Sequence, residues 1–301
     1  HQPRPGLLRS PPRHHLRHRG RRQKLANPSA PRRRPRGLCL GVCLRLIGYL
    51  IWVLAALAWA IGPALAGPAL PPTVFVAEMT WPEVAEALRQ GKRTVIVPTG
   101  GIEQGGPHLV TGKHNYIVRQ TAAAVARGLG NALVAPVVVY VPEGSIEPPR
   151  GHMNFPGTIS MPEPVFRAVL ENIARSFKAH GFTEILLLGD SGGNQYSQRE
   201  VADGLNREWA GIGTKVLHVS DYYAPEANGQ FSWLRRHGQA KAAKGGHADL
   251  RDTSELMAVY PGGVREGMIG KLGPDGGATG VTGDATGASP QLGQKMLELK
   301  I

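Results

Sequence analysis

Four short apolar runs, separated by stretches of helical pattern, constrain the fold more than any other feature of this chain. They are Thr94–Val97, Ala132–Tyr140, Glu184–Leu188 and Lys215–Val219. Valine, isoleucine and leucine fill them without the strict polar alternation of a half-solvated strand. Strands that are apolar on both faces belong to parallel sheets covered by helices on each side. The segments between them supply such helices: Trp81–Gln90, Asn115–Leu129, Pro164–His180 and Asn194–Trp209 carry apolar residues at helical spacing. Thr80 stands as an N-cap before Trp81-Pro82, and Gly130 and Gly181 close the second and third helices. Two further helices are expected over Thr253–Tyr260 and Pro290–Leu299, with a Gly-rich irregular stretch between them. The pattern predicts an α/β chain with three α/β/α layers and a mostly parallel sheet.

The 301 residues are ample for one such domain. The net charge of +13 suggests nucleic-acid binding until the charge is located. Residues 1–37 hold eleven Arg, one Lys and no acid, while from residue 67 onward 22 basic residues face 22 acidic ones. The body is electrically balanced and carries no nucleic-acid-binding signature, so no nucleic-acid partner is expected. Residues 1–37 read as a disordered or artefactual tail. Residues 38–66 then combine a preceding Arg cluster, an uncharged run from Leu46 to Ala66 and the small-residue ending Ala64-Leu65-Ala66. That is the layout of a signal peptide, and the alternative is an uncleaved membrane anchor. The expectation is an exported protein, periplasmic or secreted, or else attached to the membrane through 38–66, with residues 67–301 as the folded unit. Both cysteines, Cys39 and Cys43, fall in the apolar segment, which leaves 67–301 without a thiol or a disulfide.

Loops at the carboxyl ends of parallel strands are where such folds place their chemistry. Here those loops are polar. The first carries Glu103, His108 and His114. The second carries His152 in Arg150-Gly151-His152-Met153-Asn154-Phe155-Pro156-Gly157-Thr158. The third is Gly189-Asp190-Ser191-Gly192-Gly193-Asn194, and a fourth cluster, His247 to Glu255, precedes the late helix. Carboxylates and imidazoles gathered on Gly-rich loops suit a metal-assisted hydrolytic site. The third loop also fits G-x-S-x-G, the nucleophile elbow of α/β-hydrolases, with Asp221 and then His237 or His247 following Ser191. A trypsin-like reading of the same Gly-Asp-Ser-Gly-Gly fails because that fold is all-β.

Taken together the four loops resemble the creatininase (creatinine amidohydrolase) family. The resemblance covers roughly residues 80–290. It rests on Glu103-Gln104-Gly105-Gly106-Pro107-His108, His152-Met153-Asn154-Phe155-Pro156-Gly157-Thr158-Ile159-Ser160, Gly189-Asp190-Ser191-Gly192-Gly193-Asn194 after His180-Gly181-Phe182, His247-Ala248-Asp249-Leu250-Arg251-Asp252-Thr253-Ser254, and Gly280-Val281-Thr282-Gly283-Asp284. It implies a divalent metal and hydrolysis of a non-peptide or cyclic amide C–N bond in a small-molecule substrate. It also implies a homo-oligomer, hexameric in many relatives. Family ligand positions fall on Glu103, Gly105, His114, Ser191 and Asp252, so two imidazoles are lost and one is gained. The carried-over ligand set is Glu103, His114 and Asp252, which suits Mn2+ or Fe2+ better than Zn2+. His247 and Glu103 are then the catalytic candidates. Asp190, Ser191, His108, His152 and Asn194 are further candidates for a ligand or a substrate contact. The rival readings are a creatininase-fold binding protein without catalysis and a serine hydrolase using Ser191.

Overall fold

Each apolar run becomes a strand of one parallel sheet. In chain order these are β1 (Thr94–Thr99), β2 (Ala132–Val134), β3 (Glu184–Gly189) and β4 (Lys215–His218), arranged β2-β1-β3-β4. β1 is central: Thr94–Ile96 pair with Ala132–Val134 on one side, and Thr94–Thr99 with Glu184–Gly189 on the other. β4 extends the sheet beyond β3. The computed structural model describes residues 70–271 and 278–301. The expectations for residues 1–37 and 38–66 lie outside the described residues. Among the described residues no helix is long and apolar enough to cross a membrane.

Parallel neighbours require crossovers, and helices provide them. They are α1 (Trp81–Arg89), α2 (Lys113–Leu129), α3 (Glu163–Ala179) and α4 (Gln195–Glu208), followed by α5 (Gln230–Arg236), α6 (Leu250–Val259) and α7 (Pro290–Lys300). Alternate side chains of each strand leave opposite faces of the sheet. Val95, Val97, Ile185 and Leu187 therefore meet α1, α3 and α4 through Ala87, Phe166, Leu170, Val201 and Leu205. Ile96 and Leu188 meet α2 through Val118, Ala122 and Ala126 on the other face. The alanines of α2 let it lie close to the sheet. Each fully buried Leu, Ile or Phe in these layers is worth about 1.5–3 kcal/mol of transfer free energy. The three-layer α/β/α arrangement follows from this two-sided burial.

Three boundaries differ from the sequence expectation, each for a local reason. The run expected over Ala132–Tyr140 is a ladder strand only to Val134, because Pro136 has no N–H to donate. Beyond it the chain keeps one bridge to β1, Thr99 with Val138. α6 starts at Leu250 rather than Thr253, since the Asp249 carboxylate accepts the N–H groups of Arg251 and Asp252. α2 starts at Lys113, two residues early, which places Lys113 and His114 in its first turn. The loops after β1, β2 and β3 and the turn before α6 then gather at the carboxyl end of the sheet.

Candidate metal centre and its cavity

The loop after β1 is held against α2 by Asn115. Its amide donates to Gly101 O and accepts from Gly101 N, at 2.9 and 3.0 Å. A Cβ on Gly100 would lie 2.0 Å from Asn115 Oδ1, so this clasp needs glycine there. The clasp turns Glu103 inward, where it is 2% exposed. Lys113 and His114 then approach Glu103 Oε1 from the first turn of α2, His114 Nε2 at 2.7 Å. Burial alone would raise the Glu103 carboxyl. The charges of Lys113 and His114, with the His114 hydrogen bond, overcome it and hold Glu103 well below the usual carboxylate range.

Two imidazoles face the same carboxylate from the cavity side. His152 Nε2 lies 3.2 Å from Glu103 Oε2, and His247 Nδ1 lies 3.6 Å from Oε1. Ligand atoms of Glu103, His152 and His247 all fall within 4.8 Å of one another. Burial pushes both rings toward the neutral form: His152 is lowered, and His247 falls to about 4, with the Lys113 charge adding to burial. One ionised carboxylate and two neutral imidazoles form the kind of mixed O/N donor set that zinc and manganese sites use. The three side chains line a cavity of about 540 Å3, together with Glu143, Ser191, Gly192, Gly193, Tyr223 and Glu163. Burial and the neighbouring Glu103 charge push the Glu143 carboxyl up to about 10, so it stands in the wall as a neutral acid.

Behind Glu103 lies a second, closed set of charges. His114 Nδ1 is 3.0 Å from Asp190 Oδ2, and Asp190 Oδ1 accepts from Tyr222 at 2.8 Å and Lys300 at 2.7 Å. Lys300 also donates to Glu255 at 3.1 Å. Burial lowers His114 and so does Lys113, but Glu103 and Asp190 outweigh them and the ring is raised from its ordinary value. Burial raises Asp190, yet Lys300 and His114 bring it down to about 2.

The residues singled out from sequence divide between these two regions. Glu103, His152, His247 and Ser191 border the cavity. His114 touches Glu103, but both its ring nitrogens face carboxylates, leaving no lone pair for an ion. Asp252 lines the interior with Asp190 and Lys300; it accepts the Ala248 N–H at 3.0 Å and lies 3.5 Å from Arg251. Glu103, His114 and Asp252 therefore do not form the three-ligand cluster; His152 and His247 take the other two places. His108 braces the fourth loop, its Nε2 lying 3.1 Å from Ala248 O and 3.0 Å from Thr253 Oγ1. Asn194 ties β3's exit to β1 by donating to Thr99 Oγ1 and Gly100 O at 2.7 and 2.9 Å. Ser191 stands at the start of a short 3-10 turn without a side-chain capping bond, and among the described residues no histidine is hydrogen-bonded to it.

Sequence reasoning missed Lys113, Glu143 and Lys300. Lys113 did carry a signal: a lysine in the first turn opposes the helix dipole unless a carboxylate compensates it. Glu143 follows its strand run as Glu103 follows β1. Lys300 carried no local signal.

Comparison with known proteins identifies the family. Residues 77–301 match the creatininase family, described as creatinine amidohydrolase. The chain is 27% identical over 201 residues to the creatinine amidohydrolase of Pseudomonas putida, covering 63% of this chain and 73% of that one. It is 28% identical over 194 residues to the 3-dehydro-scyllo-inosose hydrolase of Thermotoga maritima, covering 64% and 58%. Among solved structures, a mutant creatininase described as Zn-Zn type superposes with a TM-score of 0.60 at 26% identity, over 76% of this chain and 95% of that one. A manganese creatininase gives 0.59 at 25%, over 76% and 94%. The chain thus belongs to the creatininase family of hydrolases.

Proposed function

We propose that the chain hydrolyses an amide C–N bond of a small, non-peptide or cyclic substrate in the cavity above Glu103, with a divalent metal held by Glu103, His152 and His247. The observation that carries this reading is the convergence of those three side chains on a cavity of about 540 Å3. Relatives named for creatinine and inosose hydrolysis, and a creatininase complexed with creatine, support a small-molecule substrate. When bound, a divalent ion polarises a carbonyl and lowers the pKa of a coordinated water. The chain's own residues do the rest. Ionised Glu103 supplies charge at the cavity floor. His247, neutral, with Nε2 tied to the Gln104 main-chain oxygen and Nδ1 turned toward that floor, offers its one lone pair to the ion. Glu143, a neutral acid beside Glu103, shares its proton with that carboxylate, and Ser191 Oγ gives a further polar contact at the wall. No lysine or arginine lines the cavity among the described residues, which disfavours anionic substrates. The uncharged run ending Ala64-Leu65-Ala66 supports export as the place of action.

Elemental analysis of the purified full chain, before and after dialysis against a chelator, tests the reading. One equivalent of zinc or manganese, reduced about 10-fold or more in His152→Ala and His247→Ala, is the expected result. Equal metal content in those variants and the parent would reject the assigned ligands.

A further inference from the structure

Both imidazoles of the candidate metal centre are oriented by one residue, Gln104, and by two different parts of it. We propose that Gln104 is the positioning residue that fixes the tautomers of His152 and His247; the consequence for metal affinity rests on the function proposed above. His247 Nε2 lies 2.8 Å from the main-chain oxygen of Gln104. A carbonyl only accepts, so Nε2 carries the proton and Nδ1 is bare toward Glu103. His152 Nδ1 lies 3.1 Å from the side-chain Nε2 of the same Gln104.

The orientation of that amide is settled by its other partners. Gly106 N–H donates to Gln104 Oε1 at 2.8 Å, and Gln104 Nε2 donates to Gly280 O at 2.8 Å. A main-chain N–H only donates and a carbonyl only accepts, so the oxygen and nitrogen of the amide are assigned without ambiguity. Gly280 has φ +72, and a Cβ there would stand 2.2 Å from Gln104 Oε1, so the cradle is built for this side chain. The amide N–H facing His152 Nδ1 excludes a proton on that nitrogen. His152 therefore holds its proton on Nε2 and points it at Glu103 Oε2, 3.2 Å away.

The two rings are thus set in opposite senses toward the same carboxylate: His247 presents a lone pair and His152 presents a proton. An ion entering the triad must displace the His152 Nε2 proton, and that proton finds no place on Nδ1, which faces the Gln104 N–H donor, until the amide turns. Gln104 keeps the centre a proton-coupled, weakened metal site. A carboxylate at position 104 reverses this. One oxygen still accepts from Gly106 N–H; the other cannot donate to the Gly280 carbonyl, so it turns from it and accepts from His152 Nδ1–H, leaving Nε2 bare toward the triad. Carboxylate-backed histidines are the stronger metal ligands.

The test uses the full chain, freed of metal and labelled with 15N-histidine, in parent, Gln104→Glu and Gln104→Met forms; His152→Gln and His247→Gln variants assign the two rings. Imidazole 15N shifts report the tautomers. The expected parent has both rings protonated on Nε2. In Gln104→Glu, His152 moves to the Nδ1–H form while His247 stays, because its partner is the main chain. Gln104→Met, which removes the donor without adding an acceptor, gives His152 as a mixture of the two. Zn2+ titration against a chelating indicator should show Gln104→Glu binding about 10-fold or more tighter than the parent. A parent His152 already protonated on Nδ1, or both rings shifting together in Gln104→Glu, overturns the proposal. If the rings behave as stated and none of the proteins binds Zn2+, the positioning role stands and the metal reading falls.

Discussion

The cavity side and the interior side of Glu103 use the same residue types for opposite purposes. On the cavity side, His152 and His247 are driven neutral by burial and meet open space. On the interior side, His114 is raised because each ring nitrogen touches a carboxylate, and Asp190 is shared between His114, Tyr222 and Lys300. An imidazole that meets Glu103 from the cavity can exchange that contact for a ligand, whereas one sealed between two acids can only hold the acids in place. The difference lies in where the partners of each ring sit, and that separates a site for chemistry from its support.

The largest effect that distinguishes the two regions is on stability. Lys300→Met leaves the buried Asp190 and Glu255 without their shared cation. Breaking a buried ion pair on one side costs about 3–5 kcal/mol, or roughly a 10 °C fall in melting temperature for a domain of this size. Asp190 is depressed from 3.8 to about 2. Its stabilising contribution is therefore full above pH 3.8 and is lost as pH falls toward 2. Lys300→Met should flatten that acid limb. Thermal melts from pH 2.5 to 6 measure both effects, and an unchanged melting temperature would show that the interior network does not support the fold.

His247→Ala reverses the balance. The ring is only partly buried and leaves the packed layers intact, so the melting temperature should move by less than about 2 °C. Metal content should fall about 10- to 100-fold, or about 1.4–2.8 kcal/mol of binding free energy. A variant that melts 10 °C lower while keeping its metal would place His247 with the support instead.

Sequence alone resolved the sheet well and the site only in outline, and the same contrast explains why. β1, β3 and the helices are legible because burial on both faces writes a local apolar pattern. β2 was read too long because Pro136 interrupts the ladder without interrupting the apolar run. The four loops were legible as a polar set at one sheet edge. Which of their histidines meets Glu103 from the cavity was not, since that depends on contacts across long stretches of chain. His152 is aimed by Gln104 and Gly280, and His114 is sealed by Asp190 and thereby by Lys300 on the last helix. Alignment with family positions favoured His114 and Asp252, because position along the chain carries no record of these partners.

Glu143 lies on the border between the two regions and gives a smaller, pH-dependent effect. Its carboxyl is raised from 4.5 to about 10 by burial and the Glu103 charge. A raised acid contributes its stability in full below pH 4.5 and loses it as pH climbs toward 10. Glu143→Gln removes that loss, so the variant should gain roughly 2–4 °C over the parent at pH 8 and almost nothing at pH 4, an effect on the order of 1 kcal/mol. The same gain at both values would mean that the glutamate's charge plays no part.

Ser191 should give the smallest effect, and it separates the metal reading from the serine one. It occupies a strand-to-helix turn at the cavity wall, where a nucleophilic serine would stand, yet among the described residues no histidine is hydrogen-bonded to it. A hydroxyl without a base at about 2.6–3.2 Å is not activated. Nor does the side chain cap the turn, so its loss leaves no main-chain donor unsatisfied. What remains is one polar contact with whatever fills the cavity, worth about 0.5–1.5 kcal/mol. Ser191→Ala should then lower kcat/KM by less than about 10-fold, with the melting temperature and metal content unchanged. Loss of turnover to background, with covalent labelling of Ser191 by a fluorophosphonate in the parent, would move the chemistry from the histidines of the cavity floor to this turn.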